Sequence, residues 1–114
     1  MATASESYAR GADQPPLIEQ TIGAFFDAMV ERVPEREALV VVHQQRRYTY
    51  RQLQAEVNRL ASALLGLGLK PGDRVWIWSH NNTEWVLMQL ATAKVGLVLV
   101  NINPAYRTAE VEYA

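Results

Sequence analysis

The sequence contains no cysteine, which excludes disulfides and thiolate metal sites and is compatible with any redox compartment. It also lacks an excess of either charge. Eleven Lys and Arg against twelve Asp and Glu leave a net charge of −1, so no general attraction to nucleic acid or to an anionic membrane is expected. Long hydrophobic runs are missing. Stretches such as residues 96–100 are far too short to cross a bilayer, so no transmembrane segment is expected. The first residues show no basic stretch leading into an apolar core, and Glu6 and Asp13 argue against a transit peptide. A cytoplasmic location follows as the expectation. The two histidines, His43 and His80, have no Cys, Asp or Glu at ligand spacing, so no metal site is assigned. No Ser/His/Asp set, Cys/His pair or spaced carboxylate dyad can be assembled.

What is present reads as α/β. Residues 1–20 are small, polar and proline-containing, with Pro15-Pro16 as a helix breaker, and form an arm. Thr21 caps a helix whose apolar stripe is Ile22, Phe25, Phe26, Met29 and Val33, and Pro34 ends it. Residues 38–50 predict a hairpin: a β-branched run at 38–42, a polar turn at 43–46 with His43 in solvent, and a second strand at 47–50. Thr49 and Gln52 form a capping box for a helix with Leu53, Val57, Leu60, Ala61 and Leu64 on one face, closed by Gly66 and Gly68.

Pro71-Gly72 is a turn signal before a strand at 74–78. Asn82 or Thr83 caps a third helix running to about Val95, and Gly96 ends it. Residues 97–102 predict an apolar strand suited to burial on both faces, so 74–102 is a right-handed, parallel βαβ unit. Residues 108–114 open a helix with Thr108 as N-cap and Glu110 in its first turn, and no closing signal follows. The expectation is the front of something longer.

Three features invite a functional reading. The stretch from Gly66 to Gly72 suggests a nucleotide loop, but the third glycine of a dinucleotide fingerprint would fall on Pro71. The stretch also runs from helix to strand, the wrong order for holding phosphates on a helix N-terminus, so helix stop plus turn is the reading. Trp76, Trp78 and Trp85 with Tyr48 and Tyr50 suggest base stacking. Trp76 and Trp78 share one strand face, which points instead to a core or inter-subdomain contact. Ser79-His80-Asn81-Asn82 and Asn101-Ile102-Asn103-Pro104 follow the carboxyl ends of two parallel strands, where open α/β sheets bind ligands. Helix capping and loop hydrogen bonding account for these polar clusters as well. Ser79, His80, Asn81 and Asn103 are the candidate substrate-cleft residues.

Several segments together resemble one family. Tyr48-Thr49-Tyr50-Arg51-Gln52-Leu53 resembles the first core motif of adenylate-forming enzymes, departing from it at Gln52, where Glu is usual. Ala93-Lys94-Val95-Gly96 running into Val98-Leu99-Val100-Asn101-Ile102-Asn103-Pro104 resembles the second. Ser7-Tyr8, Pro15-Pro16-Leu17-Ile18, Pro34-Glu35-Arg36-Glu37-Ala38-Leu39-Val40 and Asn103-Pro104-Ala105-Tyr106-Arg107 look like the branch of acyl-CoA synthetases acting on medium- and long-chain fatty acids. With the match beginning at Ser7, no organelle presequence is expected before it, and the arm is expected to dock in the parent protein.

The resemblance implies that residues 21–114 are the N-terminal part of an AMP-binding large domain, a β-hairpin plus a βαβ unit with flanking helices. It implies a parent ligase that uses ATP and Mg to turn a fatty acid into an acyl-adenylate, releases pyrophosphate, and passes the acyl group to CoA. In the family the phosphate loop, nucleotide contacts, metal carboxylate and mobile lysine lie downstream of both motifs. No catalytic, cofactor-binding or metal residue is therefore assigned, and this segment alone is expected to be inactive and to bind none of ATP, Mg or CoA. Two other readings stand beside it: an autonomous α/β binding or assembly module without catalysis, and a fragment of an aryl-acid or peptide-synthetase adenylating enzyme. A severed enzyme piece is expected to leave unpaired sheet edges and self-associate.

Overall fold

The computed structural model describes residues 7–114. Part of the arm, residues 1–6, lies outside the described residues; residues 7–20 contain no helix or strand and are exposed throughout. The elements that follow are α1 (Ile22–Arg32), β1 (Glu37–Val41), β2 (Arg46–Thr49), α2 (Tyr50–Gly66), β3 (Arg74–Trp78), α3 (Thr83–Lys94), β4 (Val98–Ile102) and α4 (Thr108–Tyr113). β1 and β2 pair antiparallel, with Val40 opposite Arg47 and a register shift between Glu37 and Leu39. β3 and β4 pair in parallel, with Trp76 opposite Val100. These are two separate two-stranded sheets.

Local chemistry sets the helix starts. The Thr21 hydroxyl accepts from the Ala24 amide at 3.2 Å. At α2 the box closes both ways: Thr49 Oγ1 accepts from the Gln52 amide at 3.2 Å and Gln52 Oε1 accepts from the Thr49 amide at 2.9 Å. Gln52 thus does the work of the more usual Glu. α4 differs from expectation. Thr108 is its first helical residue and Arg107 is the cap, because Glu110 Oε2 reaches back to accept from the Arg107 amide at 3.2 Å.

The core is small and mostly helical: Phe26, Val30, Leu53, Val57, Ala61, Leu64 and Ala91, with Leu97 just before β4. On α2 the apolar face forms as its spacing predicts, with Leu60 at the margin. On α1 the buried face is instead Gly23, Phe26 and Val30, while Ile22 and Phe25 of the expected stripe are 60% and 43% exposed. Gly23 is the reason. A β-carbon there would stand 3.2 Å from Lys94 Cα, so the missing side chain lets α1 press onto the end of α3 and turns Ile22 and Phe25 outward. Polar groups fix the same junction. Lys94 Nζ lies 2.6 Å from Asp27 Oδ1 and donates to Asn58 Oδ1 at 2.6 Å, while Gln54 Nε2 donates to Asp27 Oδ1 at 2.7 Å. One lysine therefore ties α1, α2 and α3 together.

β4 departs from the expected double burial. Leu97 precedes the strand, Val98 is 46% exposed, and only Ile102 within it is buried. Trp76 and Trp78 are 47% and 54% exposed, so they are not part of the core. α3 packs on one face of the β3–β4 pair; along the other, Arg74, Trp76, Trp78 and Val98 are exposed, while Ile102, opposite Trp78, is buried. The radius of gyration, 19.2 Å, exceeds the ~13 Å of a compact domain of this length, as an extended arm and a half-covered sheet require.

Candidate functional site

Parallel register brings the two polar clusters to one edge. Trp78 stands opposite Ile102, so the chain leaves both strands at the same end. There Ser79, His80, Asn81, Trp85, Asn101, Ile102, Asn103 and Pro104 line an open cleft of about 280 Å³. All four residues expected from the sequence are in it. Trp85 and Asn101 are additional members. Asn101 had a signal, as the one amide in an apolar strand; Trp85 is placed by its position in the first turn of α3.

Two of the four candidates also serve the loops. Ser79 Oγ donates to the His80 carbonyl and accepts from Asn82 Nδ2, both at 2.9 Å. Asn103 Oδ1 accepts from the Ala105 amide at 2.9 Å, and its carbonyl accepts from the Tyr106 amide at 3.0 Å. The side chains of His80 and Asn81 make no hydrogen bond among the described residues, which leaves them available to a ligand.

The start of α3 borders this cleft but is closed by protein groups. Asn82 Oδ1 accepts from the Trp85 amide at 2.8 Å, and Gln44 Oε1, from the hairpin turn, accepts from the Thr83 amide at 2.7 Å. Gln44 Nε2 also donates to Glu84 Oε2 at 2.8 Å. That bond, with the residue's own amide and the charges of Arg46 and His43, holds the Glu84 carboxyl below its ordinary range against a small opposing effect of burial. These partners leave little at the helix start for a phosphate. The cleft lining contains no carboxylate, lysine or arginine. It suits neutral polar groups held by amides beside an indole. It does not suit a metal ion or a triphosphate.

The glycine stretch is a helix stop and turn, as its order along the chain implies. Gly68 and Gly72 take φ of 88° and 90°, and the Gly72 amide donates to the Gly96 carbonyl at 2.8 Å, closing the approach to β3 against the end of α3.

Residues 26–114 match the family described as AMP-binding enzyme. The chain belongs to that family. It is 50% identical over 107 residues to the medium-chain acyl-CoA ligase ACSF2, mitochondrial, of Pongo abelii, a match covering 94% of this chain and 17% of the relative. The Homo sapiens protein of the same name gives the same identity and coverage. A putative acyl-CoA synthetase, YngI, of Bacillus subtilis is 39% identical over 97 residues, covering 85% of this chain and 18% of the relative. The chain therefore spans about one sixth of the length of these relatives.

Among solved structures, a fatty acyl CoA synthetase of Mycobacterium tuberculosis superposes with a TM-score of 0.78 at 33% identity, covering 82% of this chain and 18% of that one. The N-terminal subdomain of Klebsiella oxytoca NpsA gives 0.76 at 31%, covering 82% and 24%. The fold is that of the N-terminal subdomains of adenylate-forming enzymes, in agreement with the α/β class read from the sequence.

Proposed function

We propose that this chain is the N-terminal scaffold segment of an ATP-dependent fatty-acid–CoA ligase, with residues 1–20 as an arm and 21–114 as part of the AMP-binding large domain. One observation carries the reading: 50% identity over 107 residues to medium-chain acyl-CoA ligases. The aryl-acid and peptide-synthetase alternative shares the fold at 31% identity to NpsA, so the higher identity favours the fatty-acid branch.

The reaction of the longer protein has two steps. The fatty-acid carboxylate attacks the α-phosphorus of ATP, giving acyl-adenylate and pyrophosphate. The CoA thiol then attacks the acyl carbon, and AMP leaves as the thioester forms. The first step makes a poor electrophile reactive by giving it a good leaving group. It needs cations and backbone donors on the phosphates. The groups at the β3–β4 cleft do not fit Mg or phosphate, so that work belongs to other parts of the polypeptide. Ser79, His80, Asn81 and Asn103 contribute polar wall to its substrate cleft.

No described helix is long and apolar enough to cross a membrane. Cytoplasmic residence is part of the proposal, set against relatives whose names place them in mitochondria, and cell fractionation with an antibody to the segment decides it. Weak, concentration-dependent self-association through the open sheet edges is proposed for the segment alone.

The test is an assay of the longer protein with ATP, Mg, CoA and a panel of aliphatic and aryl acids, reading products by mass spectrometry. Thioesters of aliphatic acids are expected. Activation of aryl or amino acids only, or of no acid, overturns the assignment.

A further inference from the structure

The carboxamide of Gln44, in the turn of the β1–β2 hairpin, is fixed at both ends. Its Oε1 accepts from the Thr83 amide at 2.7 Å, and its Nε2 donates to Glu84 Oε2 at 2.8 Å. Arg46, two residues further along the hairpin, holds Glu84 as well, with Nη1 3.6 Å from Oε1. An amide that must accept at one end and donate at the other has one orientation open to it. The turn beneath is equally defined: the Gln45 amide donates to the Val42 carbonyl at 3.0 Å, and Gln45 takes a φ of 52°.

The bond to Thr83 does not end at the helix. The Thr83 amide belongs to the planar peptide that follows Asn82, so Gln44 fixes that plane. The Asn82 side chain then works in two directions. Its Oδ1 accepts from the Trp85 amide at 2.8 Å, and its Nδ2 donates to Ser79 Oγ at 2.9 Å. Ser79 Oγ in turn donates to the His80 carbonyl at 2.9 Å. Hydrogen bonds and one peptide plane thus lead from the hairpin turn to the His80 backbone and to the helical turn carrying Trp85, both in the cleft wall. His80 and Asn81, whose side chains make no hydrogen bond among the described residues, take their places from this backbone. Thr83 is wholly buried, so a shift of its peptide moves packed atoms with it.

We propose that Gln44 is a positioning residue for the cleft. From outside the lining, it holds His80, Asn81 and Trp85 in the arrangement that receives a reactant, and so sets the affinity for that reactant. The inference rests on the functional reading above, under which the reactants are a fatty acid, ATP and CoA. ATP is the one whose binding should be indifferent to Gln44, because the lining has no cation to hold a triphosphate.

Steady-state kinetics of the longer protein test this, at a temperature where circular dichroism shows every variant folded. Gln44→Ala should raise the KM for the acid or for CoA several-fold and leave kcat and the KM for ATP little changed. The exchanged pair, Gln44→Glu with Glu84→Gln, keeps an acceptor for the Thr83 amide and a donor between the two side chains, and should restore the native KM. In a double-mutant cycle Gln44→Ala should add little to Ser79→Ala, since both cut the same run of bonds. Unchanged kinetics, a fall in kcat with every KM unchanged, or effects that multiply fully with Ser79→Ala overturn the inference. A second readout is independent of catalysis. In the 114-residue chain the NMR signals of the His80 ring and the Asn81 side-chain amide should move on Gln44→Ala and return in the exchanged pair; signals that stay in place overturn the inference. Moving signals beside a longer protein that makes no acyl-CoA keep the positioning role and reject the functional reading.

Discussion

Gln44 shows how much one half-buried amide can organise. It lies in the 3-10 turn at Val42–Gln44, and its two amide atoms meet the Thr83 N–H at 2.7 Å and the Glu84 carboxylate at 2.8 Å. The hairpin is thereby pinned to the start of the helix that borders the cleft. Gln44→Ala leaves the Thr83 amide without its acceptor beside a side chain that is wholly buried, and should cost about 1–2 kcal/mol. Thermal unfolding followed by circular dichroism checks this; an unchanged midpoint would show that the turn is not fastened there. Nothing in the sequence pattern announces this contact, because 39 positions separate Gln44 from Thr83 and only tertiary packing brings them together.

Asp27 gives the second prediction at this scale. Burial pushes its carboxyl up, but hydrogen bonds from Lys94 and Gln54 and the Lys94 charge outweigh that and hold it below its ordinary range. A carboxyl whose folded pKa is below its unfolded one contributes stability that is fully present above the unfolded value, about 3.9, and is lost as pH falls through the folded value. Denaturation midpoints should therefore fall more steeply below about pH 4 for the native chain than for Asp27→Asn. Glu84 is shifted in the same direction and leaves a residual slope in that variant. Parallel curves for the two would remove Asp27 from the account.

Among elements, legibility followed how local the deciding physics was. The α2 helix was readable in full: its capping box, its apolar spacing and its glycine stop all act within a few residues of one another. β3 was readable end to end, as was the edge where the cleft opens, since parallel pairing follows from the strand–helix–strand order. The buried side of α1 was not, because it depends on which neighbour a glycine admits. The exposure of β4 and the two tryptophans was hidden for a similar reason: an apolar strand announces that burial is required, not which of its faces a neighbouring element covers. At the cleft the candidate residues were legible by position, while Trp85 entered through helix orientation alone.

The contact between α1 and α3 carries the prediction at this level. Gly23→Val puts branched carbon where 3.2 Å separates a β-carbon from the Lys94 backbone, and should cost about 2 kcal/mol by prising the helices apart and loosening the Lys94–Asp27 pair. Gly23→Ala should cost less, since its helix-propensity gain of about 1 kcal/mol offsets part of the crowding. Equal stability of the valine variant and the native chain, by urea denaturation, would contradict the close approach.

At the scale of the whole molecule, the segment combines a small, mostly helical core, a partly exposed parallel strand pair and a cleft walled by polar side chains and an indole. The relatives matched in the family are far longer, this chain spanning 17% of their length. On the proposed reading, stability and reactivity are separated, with these helices and strands as scaffold and the phosphate chemistry elsewhere in a longer polypeptide. The most direct test of that separation is a mass-spectrometric assay of the purified 114-residue chain with ATP, Mg, CoA and a medium-chain fatty acid, run beside the longer protein. The account predicts acyl-CoA from the longer protein and none from the segment. Acyl-CoA made by the segment itself, with contaminating ligase excluded, would contradict it.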